Sequence, residues 1–253
     1  AGNAARLAFT TPPSTSAVAG IAFAQQPVVT VQDVTNATVP GYATPVTLSV
    51  ASGTGTLQCD TNPVTPVAGV ATFSGCRVNG SGTGTLRASS GSIPDSTTNP
   101  VVNVSAGAAS QLAFTAQPGG GTRNTAWAAQ PAVTVRDAGG NTVTGSTAPV
   151  SLAITTPAGA TLTCTANPVA AAAGVASFAG CRIDKAGAYT LTATSAGLAS
   201  AASASFNIAR TDQAITFATL PAKYVTEADF PLSATASSNL GSPSRAIRPR
   251  CAR

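Results

Sequence analysis

The sequence predicts an all-β protein built as tandem β-sandwiches, two of them complete and a third incomplete. Three observations support this prediction: a duplication with an offset near 105 residues, short runs in which apolar residues alternate with Thr and Ser, and frequent turn residues, with 24 Gly and 18 Pro in 253 residues. Alternation over a short run is typical of a strand with one buried and one solvated face. Gly and Pro at this frequency interrupt long helices.

The duplication is clearest in two pairs of segments. Residues 69–78 (GVATFSGCRV) return as residues 174–183 (GVASFAGCRI), at an offset of 105. Residues 27–33 (PVVTVQD) return as residues 131–137 (PAVTVRD), at an offset of 104. A single small gap reconciles the two offsets, so the sequence indicates tandem copies of a whole domain.

The duplication predicts the domain boundaries. Residues 1–105 form the first sandwich, called repeat 1, and residues 106–209 form the second, called repeat 2. Residues 210–240 are expected to be a partial third unit, because the strand pattern stops after them. Residues 241–253 are expected to be a disordered basic tail.

Strands are predicted from the period-two runs and from the turn residues between them. Gly75 and Gly180 are expected to be β-bulges, because a Phe and a Cys three positions apart cannot share one face of a regular strand. In repeat 2 the predicted strands lie near residues 111–115, 125–128, 131–137, 149–154, 159–164, 174–183, 188–194 and 203–208.

The cysteines predict one disulfide in each repeat. Cys59 and Cys76 return as Cys164 and Cys181, and each pair is 17 positions apart. Because the chain has no His and no CxxC motif, a zinc site is disfavoured, and buried free thiols are the alternative. A disulfide closing a loop of this length would stabilise a domain by about 3 kcal/mol. Disulfides indicate an oxidising compartment, so the protein is expected to be secreted or at the cell surface.

The composition argues against an enzyme. The chain has no His, 8 acidic residues and 8% charged residues, which leaves few groups for acid–base chemistry or metal binding. We therefore expect no catalytic residues, no cofactor and no metal. The chain has no apolar run long enough to predict a membrane span.

The net charge of +5 at first suggests a nucleic-acid partner. Four of the 13 basic residues, however, lie in the last nine positions, so the rest of the chain has 9 basic and 8 acidic residues, a net charge of +1. Nucleic-acid binding needs basic residues clustered on the folded part, so no nucleic-acid partner is predicted.

One segment carries a family resemblance. Residues 133–143 (VTVRDAGGNTV) resemble the V-T-V-x-D-x-x-G-N-x-V signature of bacterial Ig-like domains, the Big-type modules found in tandem in invasin- and intimin-like surface proteins. The resemblance extends over residues 1–209. Repeat 1 departs from it between Asp33 and Val39, where the Gly-Asn pair is missing. The start of the third unit, residues 213–221, is similar to another family of bacterial Ig-like repeats.

Four side chains are weighed as parts of a site. Asp33 and Asp137 follow equivalent predicted strands, where an Asp is expected to cap the following turn rather than to bind calcium. Trp127 aligns with Phe23 and is expected to fill the same apolar position. If Trp127 and Tyr189 were instead exposed on one sheet face, they would form a platform for stacking sugars.

The resemblance implies a non-catalytic structural or adhesive spacer segment of a bacterial extracellular or cell-surface protein. Its partners would be neighbouring Ig-like repeats, with a host surface or a polysaccharide as further candidates. The alternative is a carbohydrate-binding module appended to a secreted hydrolase. Exposure of Trp127 and Tyr189 would favour this alternative, and their burial would favour the spacer.

Overall fold

The computed structural model describes residues 2–53, 55–156, 159–212, 214–217 and 234–236. All regular structure in these residues is β-strand and none is helix, so the all-β prediction is confirmed. None of the described residues belongs to a helix long and apolar enough to cross a membrane. The chain divides into two compact units between Ile208 and Ala209, and the first unit contains both repeats except for the last residue of repeat 2.

Repeat 1 is a sandwich of a three-stranded and a four-stranded sheet. Its strands are β1 (Arg6–Thr11), β2 (Ser16–Val18), β3 (Val28–Gln32), β4 (Thr47–Ser52), β5 (Leu57–Gln58), β6 (Val70–Thr72), β7 (Arg77–Val78), β8 (Gly82–Ser89) and β9 (Val101–Ser105). The strand orders are β1-β3-β6 and β2-β9-β8-β4, and β5 pairs with β7. All the pairings are antiparallel except that of β2 with β9, which is parallel.

Repeat 2 has the same plan with more strands in its larger sheet. Its strands are β10 (Gln111–Ala116), β11 (Gly121–Thr122), β12 (Ala132–Arg136), β13 (Pro149–Thr156), β14 (Leu162–Thr163), β15 (Val169–Ala170), β16 (Val175–Ser177), β17 (Arg182–Ile183), β18 (Gly187–Thr194), β19 (Ala201–Ala202) and β20 (Phe206–Ala209). The smaller sheet has the order β10-β12-β16 and the larger one β11-β20-β18-β13-β15, with β19 paired to β18, while β14 pairs with β17.

Each sandwich encloses its own core, built from the inward-facing members of the alternating runs. In repeat 1, Leu7 on β1 lies opposite Val31 on β3, and both are buried. Leu112 and Val135 repeat this pair in repeat 2. A β-bulge interrupts the register of the first strand at the same place in both copies, after Phe9 and after Phe114.

The two cores differ where the last strand pairs with its neighbour. Tyr189 on β18 lies opposite Phe206 on β20, and both are buried. At the equivalent place in repeat 1, Gly84 lies opposite Val102. The smaller side chains leave a cavity of about 10 Å³, room for about one water molecule. Its walls are formed by Val50, Val78, Gly82, Gly84, Thr85, Leu86, Val102 and Val104.

Two details of the strand prediction are wrong. Residues 125–128 form no strand, although Trp127 within them is buried. The long strand predicted over residues 174–183 is two strands in different sheets, because β16 pairs with β12 and β17 pairs with β14.

Gly75 and Gly180 mark this change of sheet and are not bulges within one ladder. Their φ angles are +59° and +62°, a left-handed conformation that glycine adopts without strain. A Cβ atom at Gly75 would collide with the carboxylate of Asp60, and one at Gly180 with the hydroxyl of Thr165. Because the chain turns here, Phe73 and the cysteine three positions later both reach the core.

In the second unit, β21 (Ile215–Phe217) pairs antiparallel with β22 (Ala234–Ala236). The other residues of the predicted third unit between 218 and 240, and the predicted basic tail 241–253, lie outside the described residues.

Candidate load-bearing site at the joint between the repeats

Asp33 sits just after β3 and is buried, with 6% of its surface exposed. Its Oδ1 atom accepts hydrogen bonds from the hydroxyl of Thr35 at 2.7 Å, the amide of Thr35 at 2.9 Å and the amide of Ala37 at 3.0 Å. These bonds close the turn after the strand. The hydrogen bond from the Thr35 side chain, helped by those from the backbone, holds the pKa of Asp33 below its ordinary value.

Asp33 also holds the chain that enters repeat 1. Its second carboxylate oxygen, Oδ2, accepts the amide of Gly2 at 3.2 Å. The backbone amide of Ala5 then donates to the carbonyl of Gln32, the last residue of β3, at 2.8 Å. One carboxylate therefore joins the incoming segment to the end of a central strand.

Asp137 repeats this arrangement at the start of repeat 2. Its Oδ1 accepts the amide of Asn141 at 2.8 Å, and its Oδ2 accepts the amide of Gly107 at 2.8 Å. Burial alone would raise the pKa of Asp137, but the hydrogen bonds from Asn141, Gly107 and Gly139 outweigh it and the pKa is lowered. Gly107 belongs to the linker between the repeats, so this carboxylate fastens the linker to repeat 2.

Asn141 extends the network across to repeat 1. Its side-chain nitrogen donates to both carboxylate oxygens of Asp137, at 3.0 and 3.2 Å. Its side-chain oxygen accepts the backbone amide of Ser81, which lies in the β7–β8 loop of repeat 1, at 3.2 Å. We call this network of Ser81, Gly107, Asp137 and Asn141 the repeat joint. It connects a loop of repeat 1, the linker and the turn that follows β12 of repeat 2.

The linker is held at its far end as well. The amide of Ser110 donates to the carbonyl of Arg136 at 2.9 Å, as Ala5 does to Gln32 in repeat 1. Ala109 packs against the core of repeat 2. The five residues between β9 and β10 are therefore attached to repeat 2 by hydrogen bonds and apolar contact.

The second strand of repeat 1, β2, is paired directly with its last strand, β9. In the parallel pair, Ser16, Ala17 and Val18 of β2 lie opposite Asn103, Val104 and Ser105 of β9. The pairing continues outward at both ends, where the Asn103 amide donates to the Thr15 carbonyl at 2.8 Å and the Ala19 amide to the Ser105 carbonyl at 2.9 Å. In repeat 2, β11 and β20 are likewise neighbours.

A disulfide is present in each repeat. The Sγ atoms of Cys59 and Cys76 are bonded at 2.04 Å, and those of Cys164 and Cys181 at 1.99 Å. In each pair the second cysteine is fully buried. Each bond ties the loop after β5 or β14 to the crossing between the sheets.

Two amide side chains in each repeat, which the sequence patterns did not single out, support this region. The side chain of Gln26 donates to the Phe23 carbonyl at 2.6 Å and accepts the Cys76 amide at 2.8 Å. Gln130 makes the same two bonds to Trp127 and Cys181, at 2.6 and 2.8 Å. The side chain of Asn62 accepts a hydrogen bond from the backbone amide of Leu48 and donates one to the backbone carbonyl of Leu48. Asn167 makes the same two bonds to Leu152. The duplication was the available signal, because it aligns Gln26 with Gln130 and Asn62 with Asn167.

Trp127 and Tyr189 form no exposed platform. Trp127 is 3% exposed and Tyr189 is 2% exposed. Both pack on Phe206, with ring centroids 5.0 and 6.4 Å away, and the Tyr189 hydroxyl donates to the Lys185 carbonyl at 3.0 Å. Because both rings are buried, they offer no surface on which a sugar could stack, so the candidate role of these side chains as a ligand platform is wrong.

The Trp127 ring has one unsatisfied group, which leads to a prediction. Its Nε1 atom is buried without an acceptor among the described residues, and repeat 1 has Phe23 at the same place. Trp127→Ala is expected to cost about 3–5 kcal/mol of the free energy of unfolding. Trp127→Phe is expected to cost less, because Phe keeps an aromatic ring in the core and removes the unpaired donor. Urea denaturation followed by circular dichroism measures both, and equal losses in the two variants would contradict the expectation that an aromatic ring without the N–H group fits this site.

The described residues hold few groups for other chemistry. None of them form a group of three or more His, Cys, Asp or Glu side chains placed to bind a metal ion. The ion pair recorded among them joins Arg87 to Asp95 at 3.1 Å, and both side chains are nearly half exposed. An exposed pair of this kind contributes little to stability.

The chain has the architecture of tandem Ig-like β-sandwiches, the class that its motifs resemble. No protein-family model and no curated protein sequence matches it. Among solved structures it is similar to the D00-D0 domain of intimin, at a TM-score of 0.40 and 13% identity over 81% of this chain and 98% of that one. It is also similar to the Escherichia coli adhesin FdeC, at a TM-score of 0.37 and 17% identity over 85% of this chain and 68% of that one.

A third similar structure is that of domains 4–9 of the surface layer protein SbsC. The TM-score is 0.31 and the identity 19% over 85% of this chain, which spans 33% of that structure. At identities this low, the similarity to these three structures is one of fold alone.

Proposed function

We propose that the chain is a non-catalytic, load-bearing spacer of a bacterial extracellular or cell-surface protein, made of two domains at residues 1–105 and 106–209. The observation that carries this proposal is the parallel pairing of β2 with β9. β2, which follows β1 near the start of repeat 1, runs parallel to the last strand, β9, so a pull that reaches both strands slides one along the other. The hydrogen bonds of such a pair are loaded together and not one after another.

The repeat joint supports the same role. Tension leaving β9 at Ser105 passes into a linker that Asp137 and Arg136 hold by hydrogen bonds. An attached linker transmits force and orientation between domains, whereas a free Gly/Ser-rich linker of similar length would first extend as a random coil. The disulfides support an extracellular location, since oxidising compartments maintain such bonds.

The carbohydrate-binding alternative loses its main candidate site. Its sequence argument depends on exposure of Trp127 and Tyr189, and both side chains are in the core of repeat 2.

Single-molecule force spectroscopy on the whole chain, held at its two ends, tests the proposal. Repeat 1 is expected to resist extension and then to open in one event. Ala19→Pro removes the amide that donates to Ser105 and is expected to lower the opening force of repeat 1. Ala19→Gly keeps that amide and serves as the matched control. Smooth extension without a force peak, or equal opening forces in the Pro and Gly variants, would contradict the load-bearing role of this pair.

A further inference from the structure

The loop between β7 and β8 carries a reactive dipeptide. Asn79 is followed by Gly80, and the full sequence contains no other Asn-Gly pair. Asn79 is exposed, and Gly80 has no side chain to shield its own amide. These are the conditions under which a backbone amide can reach the side-chain carbonyl of the residue before it.

The hydrogen bonding leaves both reacting groups unrestrained. Within the part of the chain that the structure describes, the backbone amide of Gly80 donates no hydrogen bond and the side-chain amide of Asn79 makes none. The backbone amide of Asn79 does donate, to the carbonyl of Thr56 at 3.1 Å, which fixes the start of the loop. The loop thus holds the backbone of Asn79 in place while its side chain stays exposed to solvent.

From this geometry we infer that Asn79 is a site of spontaneous deamidation. The Gly80 nitrogen gives its proton to a base in the solvent and attacks Cγ of Asn79, forming a new C–N bond while the side-chain nitrogen leaves as ammonia. The product is a five-membered cyclic imide. Water then opens the ring at either carbonyl, which yields Asp or isoaspartate. The net reaction consumes one water and releases one ammonia, and it needs no oxidant or other reactant.

At the equivalent position, the sequence of repeat 2 has an Asp, the residue type that this reaction forms. Asp184 corresponds to Asn79, and its backbone amide donates to Thr161 as that of Asn79 does to Thr56. The carboxylate of Asp184 accepts the Thr161 amide at 2.7 Å, a bond that holds the pKa of Asp184 below its ordinary value. An Asp formed at position 79 can accept the Thr56 amide in the same way, so this product fits the fold of repeat 1.

The isoaspartate product has a different consequence. It adds one atom to the main chain between positions 79 and 80, only one residue before Ser81. The Ser81 amide is the group that repeat 1 contributes to the repeat joint through Asn141. Conversion to isoaspartate therefore moves a contact between the repeats, whereas conversion to Asp leaves the chain length unchanged. This inference goes beyond the spacer role and stands without it.

Peptide mapping of the intact, folded chain after incubation in mildly alkaline buffer tests the inference. Cleavage after Arg77 and Arg87 releases residues 78–87, in which Asn79 is the sole side-chain amide. This peptide is expected to gain the mass difference between a hydroxyl and an amino group, and to accept a methyl group from an isoaspartyl methyltransferase. Asn79→Gln is expected to lose both signals. The inference is overturned if the folded chain stays unmodified for the time in which reduced, denatured chain is converted.

Two further measurements separate the products. Asn79→Asp is expected to keep the circular dichroism spectrum and the denaturation midpoint of the wild type, and a variant that fails to fold would overturn the assignment of Asp as a tolerated product. Hydrogen exchange of the Ser81 amide is expected to be faster in the isoaspartate fraction and unchanged in Asn79→Asp. Equal exchange in the two would overturn the effect on the repeat joint.

Discussion

Replacing Phe206 with Ala is expected to destabilise repeat 2 by about 3–5 kcal/mol. Phe206 is buried at the centre of the aromatic group, with Trp127 on one side in an edge-to-face contact and Tyr189 on the other. Removing its ring takes away apolar burial and two aromatic contacts, and it leaves a hole that rigid neighbours fill poorly. The chain contains one Trp, so Trp127 fluorescence during urea denaturation reports on repeat 2 alone.

Two matched variants control this experiment. Asn207→Ala changes the next residue of β20, whose side chain faces solvent, and is expected to shift the midpoint little. Val102→Ala changes the equivalent residue of repeat 1. It is expected to lower the free energy of unfolding of repeat 1 by about 2 kcal/mol, as followed by circular dichroism, and to leave the fluorescence transition unchanged. A Phe206→Ala midpoint equal to that of Asn207→Ala would contradict the central role of the aromatic group.

Reducing the disulfides is expected to lengthen each forced unfolding step by about 60 Å. The bonds join residues 17 positions apart, and an extended chain spans about 3.5 Å per residue. While a bond is intact, the residues between its cysteines stay out of the extended length. Reduction also returns loop entropy to the unfolded state, so each repeat is expected to lose about 3 kcal/mol of stability. Force spectroscopy with and without a reductant measures the first effect, and urea denaturation measures the second.

Cysteine variants assign the length change to each repeat. With Cys59 and Cys76 both changed to Ala, one unfolding step should be long without reductant, and the reductant should lengthen only the other step. Changing Cys164 and Cys181 reverses the assignment. Steps that keep the same length in reductant would show that the bonds do not shorten the extended chain.

Local patterns in the sequence were sufficient for the central strands of the smaller sheets. Val29 and Val31 alternate with polar neighbours, and their copies Val133 and Val135 repeat the pattern, so β3 and β12 were visible from period two. The alignment of Trp127 with Phe23 likewise indicated that the indole belongs in the core. These features depend on neighbours in the chain or on the duplication, and both can be read directly.

Features that depend on distant partners were not visible. The change of sheet at Gly75 depends on whether β7 pairs with β5 or continues beside β3, a choice between nonlocal partners that alternation does not encode. The capping role expected of Asp137 involves residues four positions away, but its bond to the linker at Gly107 spans 30 positions. Ser81 and Asn141 are 60 positions apart and belong to different copies, so no pattern within one repeat predicts their contact.

The unequal filling of the two cores has a consequence for a chain under tension. Domains in series carry the same tension, and the one with the weaker core gives way first. Repeat 1 has Gly84 and Val102 where repeat 2 has the rings of Tyr189 and Phe206. Repeat 1 is therefore expected to unfold at the lower force, while repeat 2 stays folded. Under the proposed spacer role, the chain would lengthen in stages and dissipate energy at each stage.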